Sequence, residues 1–176
     1  MRSIEPIAKM DLAFSLFCLQ HRFSQPLSRL SKAISHTGDG HLYALFGLLA
    51  FVMGGDNGQL FFMVGLLAFA IELPIYWLIK NIFKRRRPHD CSELVTSYIT
   101  PSDRYSLPSG HTAAAFLMAT LVSVWYVDLS TFVYTWACLI ASSRILLGVH
   151  FLTDIILGAG LGITSAILAI SYVGGM

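Results

Sequence analysis

The sequence predicts an all-α integral membrane bundle, about five to six transmembrane helices with an N-terminal amphipathic helix, and three observations predict it. The 176 residues are 55% hydrophobic and 12% charged, with a mean hydropathy of +0.65. Ordinary globular chains carry about a quarter charged residues. Five strongly apolar segments, about residues 41–55, 59–83, 110–127, 131–149 and 154–173, are divided by polar breaks. Two of those breaks, Gly54-Gly55-Asp56-Asn57-Gly58 and Asp128-Leu129-Ser130, carry turn residues and close helical hairpins. The length fits one domain over residues 1–176, with interfacial helices in 1–40 and the bundle in 41–176.

Taken in order, residues 7–19 form an apolar helix that is short for a crossing, which takes about 20 residues. Arg2 and Lys9 are offset by Glu5 and Asp11, and no small-residue cleavage site follows, so a cleaved signal peptide is not expected. Phe23, Leu27, Leu30 and Ile34 then recur at helical spacing with Arg22, Arg29 and Lys32 between them. That pattern fits a helix lying on an anionic surface and equally one packed on the bundle end. His36, Asp39 and His41 flank two glycines; metal ligation is one reading, a turn at a helix start the simpler one.

The second apolar segment, 25 residues from 59 to 83, would run about 37 Å as a helix, with a kink expected near Pro74. Glu72 lies inside it, either paired within the bundle or shaping a lipid groove. Residues 84–109 form a polar loop with Pro88, Pro101 and Pro108, and Trp77 and Tyr126 read as interfacial anchors. Cys18, Cys91 and Cys138 are odd in number and lack paired ligand spacing, so neither a disulfide framework nor a zinc site follows. The net charge of +2 and the absence of a basic tract interleaved with aromatics argue against a nucleic-acid partner. The lipid bilayer is the expected partner; oligomeric state is not legible.

Alternating hairpins make a topological prediction. If the second segment ends at one face, the third starts there and the fourth returns, residues 80–111 and 144–154 meet at that face. Three clusters of polar residues then converge. Lys80 and Arg87-Pro88 supply a mobile point charge and a planar fork, suited to phosphate oxygens. Neighbouring Lys84, Arg85 and Arg86 read as membrane-edge anchors. Pro108-Ser109-Gly110-His111 opens the third helix, where free amides and the positive dipole end favour an anion; a capping serine with a surface histidine is the plainer alternative. In Ser143 to Asp154, Arg144, His150 and Asp154 stand among apolar residues, where ionisable groups are costly. A helical turn would set the Asp154 carboxylate beside the His150 imidazole, leaving the other ring nitrogen as a nucleophile, or the pair could simply tie two helices together.

Together these clusters resemble the type 2 phosphatidic acid phosphatase family, which shares its phosphate site with vanadium haloperoxidases and bacterial acid phosphatases. The pattern Lys-x6-Arg-Pro, Pro-Ser-Gly-His and Ser-Arg-x5-His-x3-Asp is matched by Lys80 to Pro88, Pro108 to His111, and Ser143 to Asp154. The resemblance implies that His150 attacks phosphorus to form a phosphohistidine, oriented by Asp154, while His111 protonates the leaving oxygen and later assists water. Lys80, Arg87, Arg144, Ser109 and the Gly110 amide would hold the phosphate oxygens, with no metal and no cofactor implied.

The expected function is hydrolysis of a membrane lipid phosphate or pyrophosphate, with undecaprenyl pyrophosphate, phosphatidylglycerophosphate and phosphatidic acid as candidates. A lipid phosphotransferase using the same phosphohistidine, and a catalytically silent scaffold or transporter, are the alternatives. The compact form suggests a bacterial inner (plasma) membrane. Apart from Arg2 and Lys9, all the lysines and arginines fall on or near the motif face, which taken alone would make that face cytoplasmic. Three of those charges are catalytic candidates, and related enzymes usually work outside, so an extracytoplasmic site is expected.

Overall fold

The computed structural model describes residues 5–20 and 24–175. Arg2, Arg22 and Phe23, which entered the reading of the N-terminal region, lie outside the described residues. Among the described residues the regular elements are all helices, in the order α1 (Glu5–Leu19), α2 (Ser24–His36), α3 (Gly40–Met53), α4 (Gly55–Phe83), α5 (Pro88–Cys91), α6 (Gly110–Trp125), α7 (Ser130–Leu146) and α8 (Leu152–Gly174). A single 3₁₀ turn, Val127–Leu129, joins α6 to α7.

Three stretches, Gly55–Cys91, Val127–Leu146 and Leu152–Gly174, are long and apolar enough to cross a membrane. With 16 and 14 residues, α6 and α3 fall short of the ~20 that a perpendicular crossing takes. α4 continues through Pro74 for 29 residues. Its outer face leaves Leu60, Met63, Leu66, Leu73, Trp77 and Leu78 exposed, as an apolar surface turned to hydrocarbon requires.

α6 sits at the centre, against α4, α7 and α8. Its Leu117 and Leu121 are fully buried and pack with Phe61, Val64 and Ala68 of α4 and with Ala166 and Ala169 of α8. Close approach of α6 and α8 depends on Gly158 and Gly162, spaced by four. A methyl built at Gly158 would lie 2.6 Å from the Ser109 carbonyl oxygen, and one at Gly162 would run into the Ala113 carbonyl. Small residues at that spacing let two membrane helices touch backbone to backbone, gaining dispersion contacts where lipid supplies no hydrophobic drive.

α2 corrects the expected pattern. The face it buries is a stripe of serines, Ser28, Ser31 and Ser35, laid on α7, while Leu30 is 58% exposed. The hydroxyls allow close approach to the bundle, so the helix packs on the bundle end, with Arg29 and Lys32 exposed beside Leu30 on its outer side. α1 buries Asp11, Ser15 and Leu19 one turn apart against α7 and α8.

At the face where α4 ends and α6 begins, the 84–109 loop is fastened to the α7–α8 corner. The Tyr98 amide donates to the Leu147 carbonyl at 3.1 Å, and the Ser109 amide donates to the Asp154 carbonyl at 3.1 Å. These main-chain bonds carry distant segments into one site.

Candidate active site

α7 stops at Leu146 and α8 restarts at Leu152, and the corner between them presents His150. Gly148 turns the chain with φ +74, in the left-handed region, and a Cβ there would strike the Thr96 carbonyl, so glycine is required on both counts. In the first turn of α8, Asp154 accepts the Phe151 amide at 2.8 Å through Oδ2, closing the helix start. The same Oδ2 is 3.5 Å from His150 Nδ1, a contact longer than a good hydrogen bond, while Oδ1 accepts from Arg85 at 2.7 Å.

Arg85 is therefore a correction to the sequence reading: it is no membrane-edge anchor. Its guanidinium bridges Asp154 to Asp11 of α1 at 2.6 Å, bonds the Thr153 hydroxyl, and stacks 4.2 Å over the Phe151 ring. Thr153 and Asp11 complete the cluster through a short hydroxyl–carboxylate bond. Lys84 and Arg86 are exposed.

Arg87 is 3% exposed. One Nη1 proton goes to the Val149 carbonyl at 2.7 Å, and the same nitrogen lies 3.5 Å from His150 Nε2. The other arm of the guanidinium grips Asp103 Oδ1 at 2.5 Å. Lys80 Nζ, from α4, reaches Asp103 Oδ2 at 2.6 Å, and the Tyr76 hydroxyl donates to that oxygen at 2.7 Å. Thus one carboxylate is held by two cations and a phenol next to the His150 nitrogen. Burial alone would raise the Asp103 carboxyl, but the bonds from Lys80 and Tyr76 outweigh it and hold it below its ordinary value.

His150 is pushed from 6.5 to about 4, chiefly by burial. Asp154 opposes the shift, and Arg144 and Arg87 add to it. The imidazole is accordingly neutral at pH 7, with Nε2 turned to Arg87.

The Ser109–His111 corner is set by α6 and its neighbours. Ser109 is fully buried and accepts the Thr112 hydroxyl at 2.9 Å, and Gly110 packs so tightly on Tyr76 that a Cβ would come within 3.0 Å of its ring. His111 Nε2 meets Asp39 Oδ1 at 2.9 Å, and Asp39 Oδ2 meets His36 Nδ1 at 2.5 Å. Asp39 stands just before α3 but makes no side-chain cap bond there, so its carboxylate serves the histidines. The side-chain donors of His36, Asp39 and His41 do lie within 4.8 Å of one another, close enough for a metal ion. Arg144 donates to the Ser35 hydroxyl at 2.5 Å, and its Nε is buried without a partner.

Two cavities meet at His111. A polar one of about 270 Å³ contains Ser35, Asp39 and Arg144; an apolar groove of about 610 Å³ runs between α3 and α4 past Tyr76 and Gly110. The geometry thus links Lys80 to Arg87 through Asp103, sets Arg87 beside His150, and sets His150 beside the Asp154 that Arg85 holds. Ser109 joins through its main chain, and His111 and Arg144 are held by the α2–α3 region. Asp103, Tyr76, Ser35 and Asp11 were not among the expected site residues, and Asp39 was read as part of a turn. The available signal was electrostatic: several cations in an apolar chain need buried acids, and Asp11 and Asp103 are two of ten acidic residues in the sequence.

A profile of the PAP2 superfamily matches residues 58–175. The chain is 32% identical over 152 residues to the decaprenylphosphoryl-5-phosphoribose phosphatase of Mycobacterium tuberculosis, covering 82% of this chain and 80% of that protein. It is 30% identical over 139 residues to the "Probable lipid phosphate phosphatase beta" of Arabidopsis thaliana, and spans 63% of that protein's length with 63% of its own. Among solved structures, Aquifex aeolicus LpxE superposes with a TM-score of 0.79 at 25% identity, covering 93% of this chain and 96% of that one. The transmembrane PAP2-type phosphatidylglycerolphosphate phosphatase of Bacillus subtilis shares the fold, with a TM-score of 0.77 at 21% identity over 99% of this chain and 90% of that one.

Proposed function

The chain belongs to the PAP2 superfamily, and on that premise we propose that it is a metal-independent membrane lipid phosphatase working through a phosphohistidine on His150. The observation that carries the reading is the neutral His150 Nε2, 3.5 Å from an arginine that, with Lys80, already grips an oxyanion, the Asp103 carboxylate. A substrate phosphate displaces that carboxylate and takes the two cations, with Arg144, the Ser109 hydroxyl and the Gly110 amide on the remaining oxygens. His150 Nε2 attacks phosphorus as the bond to the leaving oxygen breaks, and His111 gives that oxygen its proton. Water then attacks the phosphohistidine with His111 taking the proton back, releasing inorganic phosphate. Asp154, held by Arg85, orients His150 throughout. Charge neutralisation and positioning supply most of the acceleration in phosphoryl transfer, which is what this arrangement offers.

The groove beside His111 suits the lipid part of the substrate. Relatives named for phosphatidylglycerolphosphate and for decaprenylphosphoryl-5-phosphoribose support a lipid phosphate, with phosphatidylglycerophosphate, undecaprenyl pyrophosphate and phosphatidic acid as the candidates. Phosphate release from that panel by detergent-purified protein, unchanged by chelator and abolished in His150→Ala, is the expected result. Turnover persisting in that variant would remove the nucleophile.

In a bacterial inner membrane α3, α4, α6, α7 and α8 would make five crossings, with the site on the extracytoplasmic face. Cys91 is exposed on α5, at the site face. An impermeant thiol reagent should label a Cys91-only variant in intact cells; labelling only after permeabilisation would reverse the orientation.

A further inference from the structure

Asp11 of α1 is fully buried and takes no part in the steps above. It lies outside residues 58–175, the stretch that the family profile matches. Yet it is tied to the nucleophile's corner at three points. Arg85 Nη2 donates to its Oδ2 at 2.6 Å, the Thr153 amide donates to its Oδ1 at 3.3 Å, and the Thr153 hydroxyl donates to Oδ2. Arg85 directs its other terminal nitrogen, Nη1, to Asp154 Oδ1 at 2.7 Å and to the Thr153 hydroxyl at 2.6 Å. The remaining Asp154 oxygen accepts the Phe151 amide and faces His150 Nδ1 at 3.5 Å.

Attack on phosphorus leaves the His150 ring positively charged, because Nε2 gives its lone pair to phosphorus while Nδ1 keeps its proton. Asp154 is the carboxylate that faces this charge, and Arg87, 3.5 Å from Nε2, opposes it. An arginine held on Asp154 with no second anion would cancel much of the carboxylate's charge before the imidazole could feel it. Asp11 removes that conflict. Two carboxylates share one guanidinium, so the group keeps one negative charge, and with Asp11 and Asp154 both fully buried little solvent screens it. The same contacts fix position: Asp11 holds Arg85 on one side and Thr153, the residue before Asp154, on the other.

We propose that Asp11 is a positioning residue for the phosphoryl transfer, acting through Arg85 to hold Asp154 against His150 and to leave the Asp154 carboxylate its charge for the phosphorylated ring. The role rests on the phosphatase reading. It makes the N-terminal helix α1 a working part of the site, docked where α8 begins, and it gives a reason for a carboxylate to be buried there at all, since an apolar contact would join the helices without the cost of desolvating a charge.

The test is steady-state phosphate release in detergent micelles from whichever of phosphatidylglycerophosphate, undecaprenyl pyrophosphate and phosphatidic acid the wild-type protein hydrolyses fastest. Asp11→Asn, which keeps the shape and removes the charge, should lower kcat per folded enzyme by about 10- to 100-fold. KM and the inhibition constant of inorganic phosphate should stay within about twofold, because Lys80, Arg87 and Arg144 are untouched. Arg85→Gln should lower kcat in the same way, and adding Asp11→Asn to it should change kcat by less than about twofold, as expected of two residues acting in one chain of contacts. Asp11→Ala, small enough for water to take the carboxylate's place, gives the same comparison if Asp11→Asn does not assemble. An Asp11 variant that loses thermal stability but keeps the wild-type kcat, a weakening of phosphate binding as large as the fall in kcat, or losses that multiply in the double variant would each overturn the role. No phosphate release by the wild-type protein from any of the three lipids refutes the phosphatase reading itself, and the role of Asp11 with it.

Discussion

Replacing Asp39 by asparagine keeps the side chain's size and an oxygen for His111 but removes the charge that faces the imidazole. The contact is 2.9 Å, and the side chains of His111 and Asp39 are 27% and 29% exposed, so it is only partly screened by solvent. An opposite charge at such range favours the protonated imidazole, the form that can give a proton to the leaving oxygen. With Nε2–H directed to Asp39, a tautomer inferred from that bond, Nδ1 is the nitrogen that hands its proton to the leaving oxygen. Asp39→Asn should therefore lower kcat on an alkyl lipid phosphate by about 10- to 100-fold and move the alkaline limb of the pH–rate profile to lower pH. A p-nitrophenyl phosphate, whose phenolate departs without a proton, should lose less than about threefold. The assay is phosphate release from both substrates across pH 5 to 9 on one preparation. Equal losses on both substrates with an unshifted limb would refute the assignment, since damage to the fold or to phosphate binding would not distinguish leaving groups.

Asp103→Asn frees Lys80 and Arg87 from their internal anion. Because Asp103 is 35% exposed, the gain is discounted for solvent, and orthovanadate should inhibit about three- to tenfold more tightly; weaker inhibition would show that the carboxylate shapes the phosphate site instead of competing for it. His150 provides a pH test of stability. Its folded pKa, about 4, lies below the ordinary 6.5, so the unfolded chain binds the extra proton first. This contribution is fully present above pH 6.5 and is lost as pH falls toward 4. Thermal unfolding in detergent should show Tm falling across that interval, with a shallower fall in His150→Gln; identical slopes would place the pH dependence elsewhere.

The motif residues were legible in the sequence because their signals are local. Lys80 to Pro88, Pro108 to His111 and Ser143 to Asp154 each fix spacing along the chain, and Gly148 announces a break before His150. Apolar segment lengths likewise gave the helices, since a chain in hydrocarbon must satisfy its main-chain bonds within each segment. Even the meeting of the clusters followed from hairpin parity.

What the sequence could not decide was which groups neutralise the buried charges. Arg85 and Lys84 are neighbours of the same sign, yet Arg85 turns inward to Asp154 and Asp11 while Lys84 faces out. Asp39 reaches His111 across 72 residues, and Asp11 reaches Arg85 across 74. Such pairs have no period or spacing, because they depend on where separate helices come to rest. Glu72 makes the same point in reverse: its place inside a span was plain, but only the packing of α3 against α4 showed that it faces a groove without a partner. Sequence thus determined the long helices and the motif residues of the candidate site. Tertiary structure decided its electrostatics, because a buried charge is stabilised by whatever the fold sets beside it.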